Sequence, residues 1–186
     1  MMKQLLTCAV LALMTVSCND TAKSADENVV TDTSSTAEAA AAELKYPYTL
    51  REPYADWQIG DMNHVVTVLN GLKAYEMGDI PACMASFGDS IQLRFDGFHQ
   101  KFSKDSLQKF FTKTRGDLSA DYIEMQDWES VISKDKSKEY VTLWYKEITT
   151  DKKGKKDSLS VIDDAKIVNG KIVELDQKIQ RFPAKK

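Results

Sequence analysis

Apolar and polar residues alternate along four successive runs: Tyr122 to Ser133, Glu139 to Thr150, Asp157 to Val168 and Lys171 to Phe182. Alternation with a period of two marks a strand with one buried face. The intervening turns, Lys134 to Lys138, Asp151 to Lys156 around Gly154, and Asn169-Gly170, are polar and short. Parallel neighbours need a long crossover, so turns this short predict a four-strand antiparallel meander. Asn169-Gly170 is the strongest of these signals, because both residues tolerate the positive φ of a tight hairpin turn.

The stretch before the meander has a helical texture. Asp61 is placed to cap a helix in which Val65, Val68, Leu69, Leu72 and Tyr75 recur at helical spacing, with Gly78 as its stop. Asp79 caps a second, short helix with Pro81 in its first turn. Ile80, Cys83, Met84 and Phe87 fall on one stripe of it, and Gly88 is expected to end it. Cys83 on that stripe reads as a small buried hydrophobe. Ile91, Leu93 and Phe95 then alternate with polar residues, Gly97 marks a hairpin turn into Phe98 to Phe102, and Ser103 caps a third helix carrying Leu107, Phe110, Phe111, Thr114 and Leu118. Upstream, Tyr46, Tyr48, Tyr54 and Trp57, with Pro47 and Pro53, predict an extended strap packed on the domain. Helices followed by a meander define an α+β domain with helices packed on one face of a curved sheet.

Met1 to Ser17 has the build of an export signal, with Lys3 followed by an apolar run from Leu5 to Val16. That run is shorter than the ~20 residues a membrane-spanning helix needs, which favours a cleaved signal. Thr15-Val16-Ser17-Cys18 resembles a bacterial lipoprotein box, in which the Cys thiol carries diacylglycerol, although Thr15 stands where such boxes usually carry Leu. Loss of Cys8 with the signal and lipidation of Cys18 leave Cys83 as the only thiol, so no intrachain disulfide forms and the domain relies on its apolar core. Asn19 after the Cys is, by resemblance to lipoproteins of Gram-negative bacteria, compatible with the outer membrane. Residues 18–44, rich in Ala, Ser, Thr, Asp and Glu, lack the apolar area to offset chain entropy and predict a disordered tether. The folded domain is expected over 45–186.

Ala74-Tyr75-Glu76-Met77-Gly78-Asp79, then Phe87-Gly88-Asp89 leading into the strand of Ile91, and the closing Asn169-Gly170-Lys171-Ile172 resemble the SnoaL-like branch of the nuclear transport factor 2-like (NTF2-like) superfamily. The resemblance covers Asp61 to Phe182. It implies a cone-shaped half-barrel: a curved antiparallel sheet against about three helices, a deep pocket between the concave face and the first helix, and often a homodimer. The superfamily includes ketosteroid isomerase, polyketide cyclases and dehydratases alongside domains that only bind. Isomerase chemistry uses a carboxylate base, with a Tyr hydroxyl and a protonated Asp holding the enolate. The resemblance places that Tyr at Gly71 and the base at Phe95, with Asp96 one residue away on the opposite face. The third position falls near Asp163 and Asp164. Two of three groups are missing, which disfavours isomerase chemistry through that apparatus.

Several residues remain as site candidates. Asp163 shares a strand face with Leu159, Val161, Ala165 and Ile167; it is either a carboxylate on an apolar wall with a raised pKa or a solvated residue on an outward face. His99 beside Asp96 is the usual material of a general base, or an exposed hairpin. His64, in the first turn of the first helix, reads as a surface residue. Trp128, Trp144, Tyr145 and Tyr75 offer large apolar faces with polar tips for ligand binding. Neighbours on a strand point apart, so Trp144 and Tyr145 do not both face inward. No phosphate loop, nucleophile elbow or metal-ligand spacing appears, so no cofactor or metal is indicated. A formal net charge of −3 gives no basic footprint for nucleic acid.

The expectation is therefore an exported, lipid-anchored domain in the cell envelope that binds a small apolar or amphipathic molecule without turning it over. Two alternatives stay open: an acid/base enzyme of the cyclase, dehydratase or isomerase type using His99, Asp96 or Asp163, and an envelope protein–protein interaction module.

Overall fold

The computed structural model describes residues 45–182. The expected signal segment 1–17, Cys18, the expected tether to residue 44 and the last four residues lie outside the described residues. Strand β1 (Trp57–Ile59) is followed by helices α1 (Met62–Met77) and α2 (Ile80–Met84), the hairpin of β2 (Phe87–Phe95) and β3 (Phe98–Ser103), helix α3 (Lys104–Gly116), and then β4 (Leu118–Ser133), β5 (Glu139–Asp151), β6 (Lys156–Val168) and β7 (Lys171–Arg181). Seven strands form one sheet in the order β1-β4-β5-β6-β7-β2-β3. The meander is present as expected, and every strand pair is antiparallel except β2 with β7.

Local signals account for most of these elements. Asp61 accepts the main-chain N–H of Asn63 at 2.8 Å, and Gly78 closes α1 in the left-handed conformation at φ 80°. Asp79 accepts the N–H of Ala82 at 3.1 Å, and Ser103 that of Ser106 at 3.3 Å. Asn169 and Gly170 both have positive φ, 50° and 70°, the backbone that turns β6 back onto β7. His64 is more than a surface residue: its Nδ1 lies 2.6 Å from Glu139 Oε1, tying the start of α1 to the start of β5.

Three sequence expectations are corrected. The short helix ends at Met84, with Ala85 as its cap, and Phe87-Gly88 already belong to a strand. The reason is long-range: the N–H of Ile172 donates to Ser86 O at 2.9 Å and Phe87 pairs with Ile172, so β7 captures the chain before another helical turn forms. Leu118 lies in β4, beyond the end of α3 at Gly116. The aromatic strap is only partly packed. Trp57 lies edge-on to Tyr140, ring centroids 5.8 Å apart, whereas Tyr48 is 87% exposed and Tyr54 is also on the surface.

The core lies between the helices and the concave face of the sheet. Leu107 and Phe111 of α3, Val65 and Val68 of α1, and Ile91, Leu143, Val161 and Ala165 of the sheet form it. The Arg115 guanidinium, near the end of α3, donates to the carbonyls of Tyr75 and Glu76, including Nη2 to Glu76 O at 2.9 Å. Tyr75 O also accepts the N–H of Gly78 at 2.9 Å, so Arg115 adds to the cap of α1 and one side chain ties the two helices together.

Candidate functional site

A cavity of about 260 Å³ opens between α1, α3 and the concave face of the sheet. Val68, Gly71, Leu72 and Tyr75 line it from α1, and Phe110, Phe111 and Thr114 from α3. Leu93 and Phe95 of β2, Leu143 of β5, and Ile172 and Leu175 of β7 complete an apolar wall. An enclosure of this kind, mostly apolar with a few polar groups, is the usual form of a small-molecule site.

The polar groups come from three adjacent strands. Tyr145 and Glu147 stand on β5, Asp163 on β6 and Gln177 on β7, all facing the cavity. Tyr145 Oη donates to Asp163 Oδ2 at 2.8 Å and accepts from Gln177 Nε2 at 3.3 Å. Asp163 is only 4% exposed, and its other oxygen, Oδ1, has no partner. Burial pushes the Asp163 carboxyl up to about 6, against the lowering effect of the bond from Tyr145. Glu147 is pushed up to about 7 by burial, then by the charges of Asp121 and Asp163. Asp121, on β4, is itself raised by burial, and both its oxygens lack partners. Burial also raises the phenols of Tyr145 and Tyr75, and Tyr75 Oη lies 3.1 Å from Thr114 Oγ1.

The structure thus brings together Asp163, Tyr145 and Tyr75 of the sequence candidates. Trp144 lies on the face opposite Tyr145, paired with Asp127 and Ile162. Trp128 stands opposite Leu143 but is 44% exposed and does not line the cavity. His99 is an exposed residue of β3 that contacts Gln92 and Arg94, with Arg94 Nε 3.3 Å from its Nε2. Asp96 occupies the hairpin turn with φ 41° and pairs with Arg181 at 2.9 Å. His99 and Asp96 are not bonded to each other and neither lines the cavity: Asp96 sits in the exposed turn, and His99 on an exposed position of β3 opposite Arg94. Glu147, Gln177 and Asp121 were not singled out by the sequence. The available signal was alternation: Glu147 shares its face with Leu143 and Tyr145, and Asp121 its face with Ile123 and Met125.

Gly71 and Phe95, where the isomerase Tyr and base would stand, both line this cavity. A Cβ at Gly71 would lie 2.9 Å from both Cβ and Oγ of Ser86, whose hydroxyl donates to Thr67 O. Helix α1 therefore approaches too closely there for any side chain to reach the site. Cys83 also lines the cavity, with burial pushing its thiol up to about 12, so it contributes an apolar surface and no nucleophile. Among the described residues, no group of three or more His, Cys, Asp or Glu side chains is arranged to hold a metal ion.

Comparison with known structures agrees with this architecture. An LEH-like epoxide hydrolase from M. tuberculosis superposes with a TM-score of 0.52 at 13% identity, over 64% of this chain and 84% of that one. AusH from Aspergillus nidulans gives 0.53 at 17% identity over 66% and 87% of the two chains. An NTF2-like protein of unknown function from Burkholderia pseudomallei gives 0.52 at 13% identity over 64% and 91%. The domain has the nuclear transport factor 2-like fold. No protein-family model and no curated protein matches the sequence. At these identities the likeness is one of fold, and chemistry must be argued from the cavity.

Proposed function

We propose that the domain binds a small, largely apolar molecule with one polar end in this cavity, without turning it over, and that Cys18 tethers it by lipid to the cell envelope, at the outer membrane. The observation that carries the binding reading is the unpartnered Oδ1 of buried Asp163 facing an aromatic-lined cavity. A buried polar atom without a partner costs about 1–3 kcal/mol, which a ligand's donor would offset. The test is native mass spectrometry of the purified protein under gentle and denaturing conditions. A retained mass of the size of a small organic molecule is expected, and Asp163→Leu should abolish it. Loss of the same mass from wild type and variant alike would count against the site. The tether has its own test: Cys18→Ser should move the protein from the membrane fraction to the soluble one, and unchanged fractionation would sink the lipid anchor.

A second reading, acid/base catalysis, is favoured by a specific observation. Glu147 and Asp163 face one cavity with carboxyls raised to about 7 and about 6, near the range in which a general acid or base works best. The Tyr145 hydroxyl bonded to Asp163 adds an oriented donor. Turnover of a bound compound that is lost in Glu147→Gln while binding persists would move the assignment to an enzyme. An interaction module whose cone is filled by its own side chains is less well supported, since the cavity is open.

A further inference from the structure

The ligand's charge follows from what faces the cavity. Two acids, Glu147 and Asp163, line it, and among the described residues no Lys, Arg or His does. Asp121 sits close enough to Glu147 to raise its pKa further. The nearest cations are committed elsewhere. Arg115, packed in from α3, spends its donors on the carbonyls of Tyr75 and Glu76, and its charge acts mainly on Asp121 and Tyr75. Lys178 points away to the outer face of the sheet, where it pairs with Asp164 and Asp176. The inward groups around Glu147 are thus Asp121 from β4, Tyr145 beside it, Asp163 from β6 and Tyr75 from α1, all neutral or negative.

Isolated buried carboxylates are costly, and the usual remedy is a paired cation or a bound metal. Among the described residues no cation pairs with Asp163 or Glu147, and Lys178, bonded to Asp164, acts on Asp163 only from the outer face of the sheet. The desolvation of Asp163 is already incurred in the free protein, so a cationic donor at Oδ1 gains a charge-assisted bond without adding that cost. The rings of Tyr75, Phe110 and Phe111 line the cavity, and a cation over the negative π face of such a ring is favoured as well.

Resting on the reading that this cavity binds a small molecule, we infer that the molecule is a monocation: a primary or secondary amine on a small aromatic or aliphatic frame, with its ammonium group between Asp163 Oδ1 and Glu147. A neutral alcohol of the same shape makes the bond to Asp163 without the charge. A carboxylic acid of the same shape is repelled.

Three probes of matched size separate these cases: 2-phenylethylamine, 2-phenylethanol and phenylacetate, titrated calorimetrically into the purified protein at about pH 8, where both carboxyls are ionised, and at about pH 5, where both hold protons. The amine should bind about ten-fold or more tighter than the alcohol at the higher pH. That preference should shrink at the lower pH, with phenylacetate failing to bind at pH 8. Glu147→Gln should narrow the amine-to-alcohol ratio at pH 8 toward its pH 5 value. Alcohol binding as tight as amine binding, or a preference for phenylacetate, overturns the cation assignment while leaving the cavity as a binding site. If none of the three binds at either pH, the cation assignment and the binding reading fall together. The wild-type pH comparison stands by itself if Glu147→Gln does not fold.

Discussion

The double variant Glu147→Gln/Asp163→Asn should be more stable than wild type at about pH 8 and no more stable at about pH 4. Both carboxyls are raised in the folded state, Asp163 from 3.8 to about 6 and Glu147 from 4.5 to about 7. Between the unfolded and folded values the folded chain binds more protons than the unfolded one, so stability falls as pH rises through that window. Below about pH 4 both states are protonated and the penalty vanishes. At ~1.36 kcal/mol for each pKa unit, either group alone costs roughly 3 kcal/mol at high pH. The amides keep the shape and remove the charge.

Of the other shifted acids in the described chain, Asp121 is raised by burial and stands in both proteins, while Asp135 runs the opposite way. Asp135 is held down to about 2 by bonds from Ser133 and Ser137, so its stabilising contribution is lost only as pH falls below 3.8. It therefore does not mask the effect of the cavity pair. Each kcal/mol shifts the midpoint of a domain this size by ~2–8 °C, so thermal melts of wild type and variant across pH 4 to 8 give the answer. An equal gain at both ends of the range would mean that packing, and not charge, separates the two proteins. A variant less stable than wild type at pH 8 would show that the carboxylates contribute to folding. A fold shaped for stability alone would carry amides or apolar residues at these positions; two charges retained at such a cost point to work done on a ligand.

The architecture was readable because its signals are local. Alternation set the four long strands to within a few residues, Asn169-Gly170 set their last turn, and Asp61, Asp79 and Ser103 each cap the helix they were expected to cap. The start of β2 was not readable. Phe87 fits a helical stripe and a strand equally well, and the choice is made by Ile172, far along the chain, through the parallel pairing of β2 with β7. The site divides in the same way. Alternation put Asp163 on one face of its strand and Tyr145 on one face of another. Their bond depends on the register that sets Leu143 opposite Asp163 and Tyr145 opposite Val161, which neither strand encodes alone. Glu147 escaped notice because a Glu in an alternating strand reads as solvated. Only the helices lying across the concave face reveal that this row is covered. His99 and Asp96 drew attention as neighbours in sequence, but Asp96 sits in the exposed turn and His99 on β3 opposite Arg94.

Leu143→Ala should cost about 2–5 kcal/mol, the range for removing a buried leucine from a packed core. Leu143 is fully buried on β5, between β4 and β6, where the sheet cannot easily close over lost atoms. Leu107→Ala, on α3, makes a matched control: this residue is equally buried but does not line the cavity. Both variants should melt at lower temperature by similar amounts, yet only Leu143→Ala enlarges the space in which a ligand sits. Its affinity for 2-phenylethylamine should fall with the lost contact, while 4-phenylbutylamine, two methylenes longer, should gain relative to it. A ligand that binds only the folded state raises the melting temperature more the tighter it binds, with the logarithm of its concentration over Kd. The longer amine should therefore recover more of the lost stability in Leu143→Ala than in Leu107→Ala. Identical ligand-size profiles for the two variants would place the binding site elsewhere, since a residue in the wall of a site changes what fits and a residue in the core behind it does not.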